Sequence, residues 1–370
     1  MVHTAEITYR ASGDLYKSFT QLKDTIHLDN KNHINTRYKD NGLVIHAEYK
    51  INNVGMRTYQ FYNITIRINF KKLIEEDYNK KDLYTDRDFE KVEQKFNEMM
   101  QELNINMPPF MEWKVNRIDY CINVKTPYVK EYMNILHKSD MPNSLEVGYN
   151  ESRNYSKNKG SLYLTKKKNG KKKYTPNITI NFYDKQDQLE NMKKKGHDIT
   201  DKQIASAKDI LRLEVQCHKS KTEYLKVKHS MTAKNIHYFL DPHISYDVIS
   251  LGLSKIVKPA TYRRKAVALK KIEDSKHTNK TKAILKQIIN DIAKQHSAIH
   301  KVRESYMSQG MKKETFNNYL KYLVELDINP VTIRDRAKLQ DKRLDEGLDD
   351  LFTLFVDAFE HEYYDEQIEV

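Results

Sequence analysis

Five segments of this chain alternate apolar and polar residues with period two, and no other feature restricts its fold as strongly. They are "LVIHAEYKI" (43–51), "NITIRINF" (63–70), "VNRIDYCINV" (115–124), "ITINFYDK" (178–185) and "ILRLEVQC" (210–217). Successive strand side chains point to opposite faces, so each segment carries one apolar and one polar face. In the third, Ile118, Tyr120, Ile122 and Val124 oppose Arg117, Asp119, Cys121 and Asn123. In the fourth, Ile178, Ile180 and Phe182 oppose Thr179, Asn181 and Tyr183. In the last, Leu211, Leu213, Val215 and Cys217 oppose Arg212, Glu214 and Gln216. Half-buried strands of this kind build a largely antiparallel sheet.

The apolar face needs a cover, and helical patterns supply one. "TDRDFEKVEQKFNEMMQEL" (85–103) begins on Thr85 as cap and stripes Phe89, Val92, Phe96, Met99, Met100 and Leu103 along one side. "TPYVKEYMNILH" (126–137) has Thr126 as cap and Pro127 at the first helical position. After residue 218 the strand pattern stops. Residues 281–307 and 312–328 read as helices, and the latter with "NPVTIRDRAKL" (329–339) suits either a helix-turn-helix or plain helical packing. In the acidic end, Leu348, Leu351, Phe352, Phe355 and Phe359 fall at helical spacing, which predicts an amphipathic helix packed on the body or on a partner. The expected class is α+β: helices on one face of the sheet, an open polar face on the other, and a helical C-terminal region.

The formal net charge is +13, which points to a polyanionic partner. Its clearest concentration is "TKKKNGKKKY" (165–174), where Asn169-Gly170 signals a type I′ turn. Lys166, Lys167, Lys168, Lys171, Lys172 and Lys173 then flank one hairpin tip. The tip is either simply solvated or set on a phosphate backbone, with Tyr163 and Tyr174 beside it to stack on bases or on their own sheet. No apolar run reaches the roughly 18–20 residues of a membrane span, "MVHTAEITYR" has no signal-peptide core, and two cysteines are too few for a disulfide framework. A cytoplasmic protein without membrane contact is expected.

The polar face holds the chemistry. Asp119 and Glu214 on neighbouring strands suit a hard divalent cation, Mg²⁺ or Mn²⁺, and suit equally two cross-strand pairs with Arg117 and Arg212. Tyr183 has Lys185 two residues on. A free phenol, with a pKa of about 10, is a poor nucleophile at neutral pH; a nearby cation favours its phenolate, and a metal polarises a phosphoryl oxygen. Such parts suit transesterification of a phosphodiester. No GxxxxGK[ST], HExxH or G-x-S-x-G motif is present, nor a histidine–hydrophobe–histidine strand. His296 and His300 share a helical face but lack a nearby third ligand in sequence.

The order "NRIDYCINVKTP", helix, lysine-rich hairpin, "INFYDKQDQLE", "ILRLEVQ" resembles the filamentous-phage replication nicking proteins and, more distantly, the plasmid rolling-circle initiators called replication-initiator trans proteins. The likeness extends to "NITIRINFKKLI" and "HKVRESYMSQGMKKETFNNYLKYLVEL", roughly residues 60 to 340. It implies a site-specific DNA endonuclease and strand transferase. Tyr183 is then the nucleophile that keeps the 5′-phosphate, and Asp119 and Glu214 bind the metal. Lys185 places the phosphate or lowers the tyrosine pKa, while Arg117 and Arg212 orient the carboxylates or contact DNA. Glu214 is also the candidate to activate the terminating attack. Tyr155 and Tyr163 remain rival nucleophiles among 25 tyrosines.

The partners implied are origin DNA, as a duplex site and an exposed single strand, a host helicase and polymerase, and a second copy in a homodimer. The corresponding divisions are 1–60, a strand-rich segment; 61–218, the nicking domain; 219–343, a helical DNA-binding region; and 344–370, the acidic tail. A relaxase with the same chemistry and a non-catalytic origin-binding repressor are the alternative expectations.

Overall fold

The structure is a computed structural model. It describes residues 1–15, 17, 33–34, 41–54, 57–75, 79, 82–103, 106–140, 142, 144–147, 160–166, 177–294, 298–333 and 347–364. The protein is α+β, an antiparallel sheet followed by helices. The strands are β1 (Val2–Ala11), β2 (His33–Ile34), β3 (Leu43–Val54), β4 (Arg57–Asn69), β5 (Lys114–Lys125), β6 (Leu145–Val147), β7 (Ser161–Lys166), β8 (Ile178–Asp184) and β9 (Ile210–Cys217). Their order across the sheet is β2-β3-β4-β1-β5-β9-β8-β7-β6. All five alternating segments are therefore strands. The N-terminal strand, from the segment set apart as 1–60, lies between β4 and β5.

Two compact units divide the chain. The first gathers Met1–Ile122, Gly170–Ile180 and Glu214–Ile249. Its apolar face buries Ile7, Ile66, Ile118, Tyr120 and Ile122. Helix Phe89–Leu103 carries the expected stripe, with Val92, Phe96, Met99, Met100 and Leu103 buried. It is entered through a short 3-10 turn in which the Thr85 amide donates to Asp88 Oδ2 (2.9 Å). Phe96 packs edge-on to Trp113, ring centroids 5.7 Å apart. Tyr120, fully buried, donates its hydroxyl to the Phe239 carbonyl at 2.9 Å, so its polar end is satisfied.

The second unit gathers Asn123–Asn169, Asn181–Leu213 and Ser250–Val370. Its first helix is Val129–Lys138, two residues later than the Thr126 cap suggests; Thr126 Oγ1 instead accepts from the Tyr128 amide (3.3 Å) and shapes the turn before it. The stretch 281–307 divides into two helices, Asn279–Ala293 and Ile299–Ser308. Helix Lys313–Glu325 follows, but Asn329–Ile333 is not helical: Ile333 bridges Arg264. The remainder of that second element, 334–339, lies outside the described residues. The acidic tail forms helix Leu351–Tyr364, which packs on this unit through Leu351, Phe355 and Phe359. Phe355 meets Phe182 of β8 at 6.3 Å between centroids, fixing that strand from its apolar side. Among the described residues, no helix is long and apolar enough to cross a membrane.

Candidate functional site

The burial of β1 departs from period two: Val2, Ala5 and Ile7 are buried, so two consecutive residues, His3 and Thr4, lie between core positions. The pairing with β5 shows why. Val2 faces Tyr120 and Thr4 faces Asp119, so β1 spends two residues where β5 spends one. His3 is the extra residue of a β-bulge. A second shift, on β5, sets Glu6 opposite Arg117 and Ile7 opposite Val115. Bulges re-aim side chains and are concentrated beside active sites. Here they bracket Arg117 and Asp119 and bring Thr4 onto their face.

Asp119 is only 2% exposed. Arg117 grips it bidentately, Nε to Oδ1 at 2.8 Å and Nη2 to Oδ2 at 2.7 Å, and the Thr4 hydroxyl donates to Oδ2 as well. Burial, and then the nearby Glu214 carboxylate, push Asp119 up to about 6 against the pull of Arg117 and Thr4. For Arg117, burial works to lower the pKa, but Asp119, Glu214 and Glu6 outweigh it and the value is raised. Two buried carboxylates thus share one guanidinium, and a further cation would relieve their repulsion.

Glu214 is buried and accepts from Gln216 Nε2. One donor atom each from Glu214, His3 and Cys121 lie within 4.8 Å of one another. The carboxylate Glu214 fits a divalent cation directly. Asp119 contributes charge at short range, with both its oxygens already engaged by Arg117. His218 is half-buried, its Nε2 at 3.3 Å from Thr179 Oγ1, and burial followed by the Arg117 charge lowers its pKa.

Tyr183, Lys185 and Arg212 belong to the second unit. β8 ends at Asp184, so Lys185 opens helix Lys185–Lys194 instead of continuing the strand face. Asp184 caps that helix, accepting from the Asp187 amide at 3.2 Å. The Lys185 ammonium lies 5.8 Å from the Tyr183 ring centroid and donates to Gln188 Oε1 at 2.8 Å. A lysine 3% exposed at a helix N-terminus opposes both desolvation and the helix dipole. Arg212, fully buried, donates Nε to Asn123 Oδ1 at 2.7 Å.

The expectation of an open face needs qualification. Tyr183, Lys185, Arg212, Asp119 and Glu214 are all buried; Lys185 donates to Gln188, Arg212 to Asn123, Arg117 to Asp119 and Gln216 to Glu214, so these buried polar groups have hydrogen-bond partners. The lysine hairpin lies outside the described residues apart from the Lys166 backbone, as do Tyr155 and Tyr174. Sequence reading missed His3 and Thr4. The signal was present in "VHTAEI", whose apolar positions 2, 5 and 7 break the strand period.

No family model, curated protein or solved structure matches this chain.

Proposed function

We propose that the protein nicks and rejoins DNA at a specific site through a 5′-phosphotyrosine, as a rolling-circle replication initiator. The observation that carries the reading is the buried Lys185 held beside Tyr183, a costly arrangement for stability alone. Tyr183 is the nucleophile. It loses its phenolic proton, its oxygen bonds to phosphorus, and the phosphorus bond to the 3′-oxygen breaks; that oxygen takes up a proton and leaves as a free 3′-hydroxyl. Lys185 favours the phenolate and steadies the phosphate. Arg212 holds β9 to Asn123 and so positions the strand that carries Glu214. Glu214, with Asp119 beside it, supplies the charge for a divalent cation, Mg²⁺ or Mn²⁺ on the sequence reading. When bound, that cation polarises the scissile phosphate. Arg117 keeps Asp119 in place.

The test is to incubate the protein with single-stranded fragments of its own replicon and Mn²⁺ or Mg²⁺, then map any DNA-linked peptide by mass spectrometry. A linked peptide containing Tyr183, absent with chelator and absent in Tyr183→Phe, is expected. DNA binding without an adduct on any fragment would favour a non-catalytic origin-binding protein. An adduct on another tyrosine would keep the function and remove Tyr183 from it.

A further inference from the structure

The bulge at His3 does more than supply Thr4 to Asp119. It places His3 next to β5 on the face that carries Cys121, and donor atoms of His3, Cys121 and Glu214 all lie within 4.8 Å of one another. In a tetrahedral zinc site with bonds of about 2.0–2.3 Å, donor atoms sit roughly 3.3–3.7 Å apart. Side-chain rotations of about an ångström therefore suffice to bring this trio around one ion.

We infer that His3, Cys121 and Glu214 form a binding site for a borderline transition-metal dication of the zinc type, and not for Mg²⁺. The donor chemistry decides the class. Magnesium takes oxygen ligands and keeps much of its water. A thiolate and an imidazole select zinc, cobalt or a similar ion. Three protein ligands leave a fourth position for water or a phosphate oxygen, the pattern of catalytic rather than structural zinc sites.

The surroundings agree. Gln216 donates to Glu214 Oε1 and orients it, as outer partners of metal ligands do. Cys121 and Glu214 are buried, whereas His3 is half-exposed and gives the ion a way in. On binding, the Cys121 thiol gives its proton to solvent and the sulfur bonds the ion, so uptake releases a proton. The site itself stands without the nicking proposal; only its use as the catalytic cation rests on that reading.

The test is a cobalt titration of the full-length protein, freed of metal by chelation, in the absence of DNA. One equivalent of Co²⁺ should produce a thiolate-to-cobalt charge-transfer absorption. Zn²⁺ should abolish it at stoichiometric amounts, and millimolar Mg²⁺ should not. Cys121→Ser should remove the band. His3→Ala, a change at a half-exposed position that leaves the core intact, should weaken Co²⁺ binding at least about tenfold. Absence of the band in the wild type, or unchanged affinity in His3→Ala, would overturn the inference. A protein that forms the Tyr183 adduct with Mg²⁺ yet shows no band would retain the nicking function and lose this site. A band without any adduct would do the reverse.

Discussion

Two part-buried arginine–aspartate forks, one in each compact unit, make like bonds in different surroundings. In the second unit Arg303, on helix Ile299–Ser308, donates Nη1 and Nη2 to Asp140 at 2.7 and 2.9 Å. In the first, Arg117 makes the same bidentate contact with Asp119. The bonds are alike, but the surroundings are not. Two further carboxylates, Glu214 and Glu6, act on Arg117, and Glu214 helps to push Asp119 up to about 6. The Arg303 fork ties its helix to Asp140. On the proposed function, the surplus negative charge around Arg117 and Asp119 would serve a cation. On that reading the contrast would separate a structural from a functional use of the same contact.

The comparison breaks most visibly when each arginine is removed. Arg303→Leu leaves Asp140 without this partner and should cost about 3 kcal/mol of stability by chemical denaturation, with no rescue by metal. Arg117→Leu should cost a similar amount, about 3 kcal/mol, at pH 8. That loss should shrink as pH falls and the crowded carboxyls protonate, and Zn²⁺ should restore part of it. Equal behaviour of the two variants toward zinc would dissolve the distinction.

A smaller effect has the opposite sign. Because the Asp119 pKa is raised on folding, the native state binds its proton more tightly than the unfolded chain. Stability from this group is full below about pH 4 and is lost as pH rises to about 6. Asp119→Asn should therefore stabilise the metal-free protein by on the order of 1–2 kcal/mol at pH 8 and by little at pH 4. A destabilised variant at pH 8 would show that the Arg117 bond outweighs the burial of charge.

The smallest effect probes the bulge. Thr4→Val removes a hydroxyl that donates to Asp119. It should cost about 1 kcal/mol and move the Asp119 titration upward, as followed by carboxyl carbon NMR. An unmoved titration would place Thr4 outside the site.

Much of this frame was legible from side-chain alternation. Ile118, Tyr120 and Ile122 against Arg117, Asp119 and Cys121 specify β5 and its two faces, and Leu211 to Cys217 do the same for β9. Helix Phe89–Leu103 was legible because its apolar stripe is long. The approach of His3, Cys121 and Glu214 was not, since His3 comes beside Cys121 through a bulge that joins strands over 100 residues apart. Alternation places Arg212 on the polar face but does not reveal that its Nε bonds Asn123. Lys185 starts a helix because the Asp184 side chain caps it, an interaction that ends the strand one residue early.

The central claim is that surplus charge at Glu214 and Asp119 serves chemistry. The most direct measurement is the rate of DNA–protein adduct formation by Glu214→Gln beside the wild type, with their thermal unfolding compared. The account predicts a loss of at least about a hundredfold in rate with folding retained. An adduct formed by Glu214→Gln at the wild-type rate would contradict it.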